Sequence, residues 1–183
     1  MTTALLLIDI QNDYFPGGRM ALTGPEAAAD RAAALLARCR ALGHPVLHVR
    51  HVADRPGATF FLPDTEGALI HPAVEPASGE VVIEKHRPNA FVDTTLAHHL
   101  EAIGATEVVI AGMMTHMCVD STTRAASERG FDCVVAADAC ATRDQNFNGV
   151  RVEADQVHAA FLAALDGTFA TVVSSNDVLE RWT

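Results

Sequence analysis

Short apolar runs without polar alternation recur along this chain, and a helical stretch separates most of them from the next. The runs are Ala4–Ile8, Pro45–Val49, Glu80–Glu84, Glu107–Ala111, Asp132–Ala136 and Phe169–Val173. A strand with no polar face is buried on both sides, which is the condition inside a parallel sheet covered by helices. The helices are predicted over Glu26–Leu42, Asp93–Ile103, Met117–Arg129 and Arg151–Leu165, with Asp177–Arg181 as a short terminal turn. Gly43, Gly104, Gly130 and Gly167 stand where each would stop, and Asp93 or Thr94 is placed to cap the second. The pattern predicts a single α/β domain over residues 1–183. It is doubly wound, with a mostly parallel six-stranded sheet in the order 3-2-1-4-5-6 and helices on both faces.

Composition removes several classes of function. The hydrophobic fraction is 49% and the charged fraction 20%, the mix of an ordinary globular chain with a proper core. The net charge is −10 and the 13 basic residues are scattered, so no patch is built for a phosphate backbone. No run is long enough to span a bilayer, and Ala4–Ile8 is short, lacks a basic leader and ends at Asp9. Cys39, Cys118, Cys133 and Cys140 show no Cys-x-x-Cys spacing and read as reduced thiols of a cytoplasmic protein. Gly17-Gly18 lacks the spacing of a dinucleotide-binding loop, and no cofactor is expected. The expected partner is a small molecule, not nucleic acid or membrane.

Three chemically distinct residues fall at the carboxyl ends of these strands. Asp9 follows the first, Lys85 the third, and Cys118 lies just beyond the fourth, at the head of a helix. In open parallel sheets ligands bind at that edge, where the strand order reverses. Taken singly, each has a plain structural reading: a loop-capping acid, a solvated lysine, a small buried thiol. An acid, a base and a thiol on one rim together form a nucleophile set. The helix start and Lys85 favour the thiolate, and Asp9 takes and returns the proton.

The motifs that carry these residues resemble the isochorismatase-like cysteine hydrolase superfamily, which includes nicotinamidases and N-carbamoylsarcosine amidases. They are Leu7-Ile-Asp9-Ile-Gln-Asn-Asp-Tyr-Phe15, Glu84-Lys85-His-Arg-Pro-Asn-Ala-Phe91, Ala111-Gly-Met-Met-Thr-His-Met-Cys118-Val and Ala136-Ala-Asp138-Ala-Cys-Ala-Thr. The segment Gln156-Val-His-Ala-Ala-Phe-Leu-Ala also fits. The resemblance implies an Asp9–Lys85–Cys118 triad. It also implies a cis peptide between Met113 and Met114, with the backbone N–H groups of Met114 and Cys118 binding an oxyanion. It further implies a homo-oligomer, a dimer or tetramer. The implied activity is hydrolysis of a small amide, ureido or related C–N substrate through a thioester. Vinyl-ether hydrolysis of an isochorismate-like substrate, and a non-catalytic binding or redox-sensing module, stay open as alternatives.

Nicotinamidases of this superfamily carry an Asp-x-His metal site after the second strand. Here that region offers His48, His51 and Asp54, and strand alternation puts His48 and His51 on opposite faces, so no metal is expected. Gln11, Tyr14, Phe15, Phe61, Arg87, Phe91 and His116 are the candidate substrate-binding residues, each with core packing or turn chemistry as its alternative. The long Pro- and Gly-bearing stretch from Val52 to Gly79 is a candidate site cover.

Overall fold

The computed structural model describes residues 2–182. Its elements in chain order are β1 (Thr3–Ile8), α1 (Pro25–Ala41), β2 (Val46–His51), β3 (Val81–Lys85), α2 (Leu96–Ala102), β4 (Glu107–Met113) and α3 (Asp120–Ser127). Then follow β5 (Asp132–Ala141), β6 (Gln145–Phe147), β7 (Val150–Val152), α4 (Ala154–Leu165), β8 (Thr171–Val173) and α5 (Ser175–Arg181). Six strands form one sheet in the order β3-β2-β1-β4-β5-β8, with every neighbouring pair parallel. The order is the one expected, with β8 as the sixth strand.

The unbroken apolar character of β1 is explained by its two faces. Leu5 and Leu7 pack with Ala28, Ala32, Leu35 and Leu36 of α1 and with Val178 of α5. Ala4, Leu6 and Ile8 pack with Leu96 and Leu100 of α2, Ala125 and Ala126 of α3, and Leu162 and Leu165 of α4. The three leucines of β1 are at most 2% exposed, and burying each contributes about 1.5–3 kcal/mol. In α1 the buried positions recur at helical spacing, as a one-sided apolar stripe requires.

Several boundaries differ from expectation. The fifth strand does not stop at Ala136 but runs to Ala141, across a register shift against β4 between Ile110 and Gly112. Arg151 lies in a small antiparallel hairpin, β6–β7, so α4 starts only at Ala154. The hairpin turns at Asn148-Gly149, whose φ values of 50° and 77° suit the tight turn that Asn-Gly favours. Helix α2 starts at Leu96 after Thr95; neither Asp93 nor Thr94 occupies the cap position, although Thr94 Oγ1 accepts from Leu96 N at 3.3 Å. Cys118 lies in a wide π-type turn, Thr115–Val119, that leads into α3. The terminal turn is a helix, capped by reciprocal Ser174 and Asp177 bonds.

Successive strands β1, β2 and β3 step one way across the sheet, and β4 starts on the other side of β1. The order therefore reverses between β1 and β4, and a crevice opens beyond their carboxyl ends. Gly112 keeps the two strands close there. Its φ is 144°, and a Cβ on it would lie 2.0 Å from Ile8 O. Only glycine fits that approach.

Candidate active site

The three residues singled out from the strand ends converge at this crevice. Lys85 Nζ lies 2.7 Å from Asp9 Oδ2 and 3.2 Å from Cys118 Sγ. Asp9 and Lys85 are 0% exposed and Cys118 6%. Asp9 sits just past β1 with φ 50°, a left-handed conformation that Asp tolerates better than most residues, and its N–H donates to Val49 O of β2. Asp9 Oδ1 has no hydrogen-bond partner among the described residues. The Met113–Met114 peptide is cis.

Burial dominates the electrostatics. It pushes the Cys118 thiol up, the Asp9 carboxylate pushes it further, and Lys85 opposes both without overcoming them. Burial thus works against the thiolate that the helix start and Lys85 favour. For Lys85, burial pushes the ammonium down, but Asp9 and then Cys118 outweigh it and the net shift is upward. Tyr14 is raised well above the usual phenol value by burial, with Cys118 and Asp9 adding to it.

The fourth member of the cluster is His51. Its Nδ1 lies 3.0 Å from Lys85 Nζ. Burial, and then the Lys85 charge, lower its pKa from 6.5 to about 4, so the ring is neutral. The contact follows from strand register, since His51 ends β2 and pairs with Lys85 at the end of β3; the predicted run Pro45–Val49 stops short of it. His51, His48 and Asp54 do not form a joint site. His48 is buried against Glu80 at 2.9 Å, and Asp54 is bound to Arg87 at 2.9 Å. Among the described residues, Asp9, His51 and Cys118 do bring ligand atoms within 4.8 Å of one another. The Lys85 ammonium stands among those three side chains.

A cavity of about 550 Å³ opens over Cys118. Its walls include Tyr14, Phe61, Arg87 and Met114 among the anticipated residues, with Phe60, Pro88 and Met117 adding apolar surface. The Val52–Gly79 stretch supplies the wall from Ala53 to Phe61 and is pinned from below. Asp13 is 3% exposed, and its carboxylate accepts from Phe61 N at 2.6 Å and Arg19 N at 3.1 Å. Gly67 lies so close that a Cβ there would sit 2.2 Å from Asp13 Oδ1. Asp13 is the buried anchor of the cover.

The other candidates lie elsewhere. Gln11 is 0% exposed, with its amide bonded to His51 N, His51 O and Ala68 O. Phe15 stacks on His71, and Phe91 packs near Phe131 under Arg129. His116 is bonded to Thr142 and packs edge-on to Phe161.

Fold and pocket together define an open parallel-sheet α/β protein with a cysteine-bearing cleft at the point where the strand order reverses. The chain belongs to the isochorismatase family: the family's isochorismatase domain matches residues 3–177. It is 52% identical to the isochorismatase-family protein YddQ of Bacillus subtilis (strain 168), over 98% of this chain and all of YddQ. It is 31% identical to the maleamate amidohydrolase of Pseudomonas putida, over 97% of this chain and 85% of that one. A solved isochorismatase hydrolase from Oleispira antarctica superposes with a TM-score of 0.93 at 51% identity, covering 98% of this chain and 96% of the other. Among the described residues no helix is long and apolar enough to cross a membrane.

Proposed function

We propose that residues 1–183 form one catalytic domain that hydrolyses a small amide, ureido or related C–N substrate through a thioester on Cys118. The observation that carries this reading is the buried ammonium of Lys85, 2.7 Å from the Asp9 carboxylate and 3.2 Å from the sulfur of Cys118, the member of the three that lines the cavity. The name of the Pseudomonas putida relative, a maleamate amidohydrolase, supports the amide class.

The resting set is thiol, carboxylate and ammonium. As the sulfur attacks the substrate carbonyl, its proton moves to Asp9, whose Oδ1 has no hydrogen-bond partner among the described residues. The total charge is unchanged by this transfer. The ammonium that stabilised the carboxylate now stabilises the sulfur side, so the exchange avoids creating an unpaired buried charge. The oxygen of the tetrahedral adduct is held by the backbone N–H groups of Met114 and Cys118. Collapse of the adduct breaks the C–N bond, and Asp9 returns its proton to the leaving amine or ammonia. Asp9 then takes a proton from water. The hydroxide attacks the thioester, the acid leaves, and the proton goes back to sulfur.

Tyr14, Phe61 and Arg87 line the cavity and are the residues we assign to substrate contact, with Arg87 held in place by Asp54. All four cysteines are free, which supports a reducing, cytoplasmic setting. A homo-oligomer is part of the same reading, and light scattering after size exclusion reads its mass. The activity test is ammonia release from a panel of small primary amides and ureido acids, with Cys118→Ala as control. Release that the control lacks is expected. Equal release by the control would overturn the covalent route.

A further inference from the structure

His51 has no place in the triad, yet it touches the triad's central charge. We propose that His51 is a positioning residue for Lys85: its Nδ1 holds one N–H of the ammonium, which leaves the other two for Asp9 and Cys118. This rests on the Asp9–Lys85–Cys118 reading above.

The geometry supports it from three sides. First, an ammonium has three donors, and the side-chain atoms near Lys85 Nζ are Asp9 Oδ2 at 2.7 Å, His51 Nδ1 at 3.0 Å and Cys118 Sγ at 3.2 Å. A lysine head on a flexible stem has no preferred direction of its own, so its neighbours must set one. Second, the backbone of His51 is clamped. The Gln11 side chain, 0% exposed, accepts from His51 N at 2.7 Å and donates to His51 O at 2.9 Å, while it also donates to Ala68 O at 2.8 Å. The clamp ties the segment after β1 to the end of β2 and fixes where the ring starts. Phe61 lies beside the ring, with centroids 5.9 Å apart. Third, the same three side chains, Asp9, His51 and Cys118, form the one group among the described residues with a spacing close enough to share a cation. In this chain the cation among them is the lysine head itself.

A definite tautomer follows. If Nδ1 accepts from Lys85, the neutral ring must carry its hydrogen on Nε2. Long-range proton–nitrogen correlation spectra of the wild-type protein, labelled at histidine, read this directly at neutral pH. An unprotonated Nδ1 for His51 is expected, and a protonated Nδ1 overturns the proposal without any mutation. The functional test is alkylation of Cys118 by iodoacetamide as a function of pH, in His51→Leu and His51→Asn proteins verified as folded. Leucine keeps bulk and loses the acceptor. It should slow alkylation about tenfold at neutral pH and move the midpoint of the rate upward, because the ammonium is no longer aimed at the sulfur. Asparagine keeps an acceptor and should stay within about threefold of wild type. Wild-type behaviour of His51→Leu overturns the proposal, and so do equal losses in both variants with the midpoint unmoved. Neither readout requires turnover, so a failed amide panel and a failed role for His51 are separable results.

Discussion

At the amino end of β4, Glu107 receives Thr3 Oγ1 on one oxygen and the guanidinium of Arg181 on the other, and Arg181 is half in solvent. At the carboxyl end of the neighbouring β1, Asp9 and its partner Lys85 are fully buried, and one carboxylate oxygen has no hydrogen-bond partner among the described residues. The same sheet thus carries two kinds of charge. The lower rim spends its carboxylate on structure, with both oxygens of the buried Glu107 in use and its Arg181 partner reaching solvent. The upper rim keeps a carboxylate out of water with capacity to spare, which is the condition for accepting a proton during a reaction.

The largest expected effect tests the upper rim as chemistry. Cys118→Ala should lower turnover by at least about a thousandfold in the ammonia assay while its melting temperature stays close to wild type. Near-normal melting with no turnover separates reaction from folding, and a collapsed fold would erase the contrast between the rims. Next comes the buried pair as structure. Lys85→Met leaves Asp9 unpaired among apolar neighbours and should cost about 3–5 kcal/mol in urea unfolding. Adding Asp9→Asn should recover part of that loss, and no recovery would mean that the two groups do not interact.

Acid provides a smaller, graded test. The pKa of His51 is lowered from 6.5 to about 4 in the fold, so between these values the unfolded chain binds a proton that the folded chain refuses. Its contribution to stability is complete above 6.5 and is lost as the pH falls toward 4. Unfolding curves measured across that window should show wild type losing stability more steeply than His51→Asn. Parallel curves would remove the histidine from the account. The cover offers a comparable loss: Asp13→Asn turns one acceptor of the Phe61 and Arg19 N–H groups into a donor, and should cost about 1–3 kcal/mol in the same urea assay. The smallest effect belongs to the lower rim. Arg181→Met removes a half-solvated partner of Glu107 and should cost less than about 1 kcal/mol. A loss there as large as that of Lys85→Met would abolish the distinction.

The sheet order, the helix on each side and the rim that gathers Asp9, Lys85 and Cys118 were legible from unbroken apolar runs, because burial on both faces leaves few alternatives. The hairpin was missed although its Asn148-Gly149 signal was present, because the alanines of α4 dominate the surrounding pattern. The extension of β5 past Ala136 depends on a bulge against β4, which no local pattern encodes. The buried role of Asp13 was hidden for a related reason: an aspartate in a turn looks the same whether it faces water or a returning loop. The burial that opposes charge on the sulfur was likewise not legible, because a helix start shows in the sequence and desolvation does not.

Gly112 has a consequence for anyone redesigning this pocket. The spacing between the backbone bearing the acid and the backbone leading to the sulfur is set by a hydrogen atom where every other amino acid has carbon, since a Cβ there would sit 2.0 Å from Ile8 O. Variation aimed at new substrates belongs in the cavity walls. At this glycine even one methyl group would wedge the two strands apart and pull the reacting groups out of range.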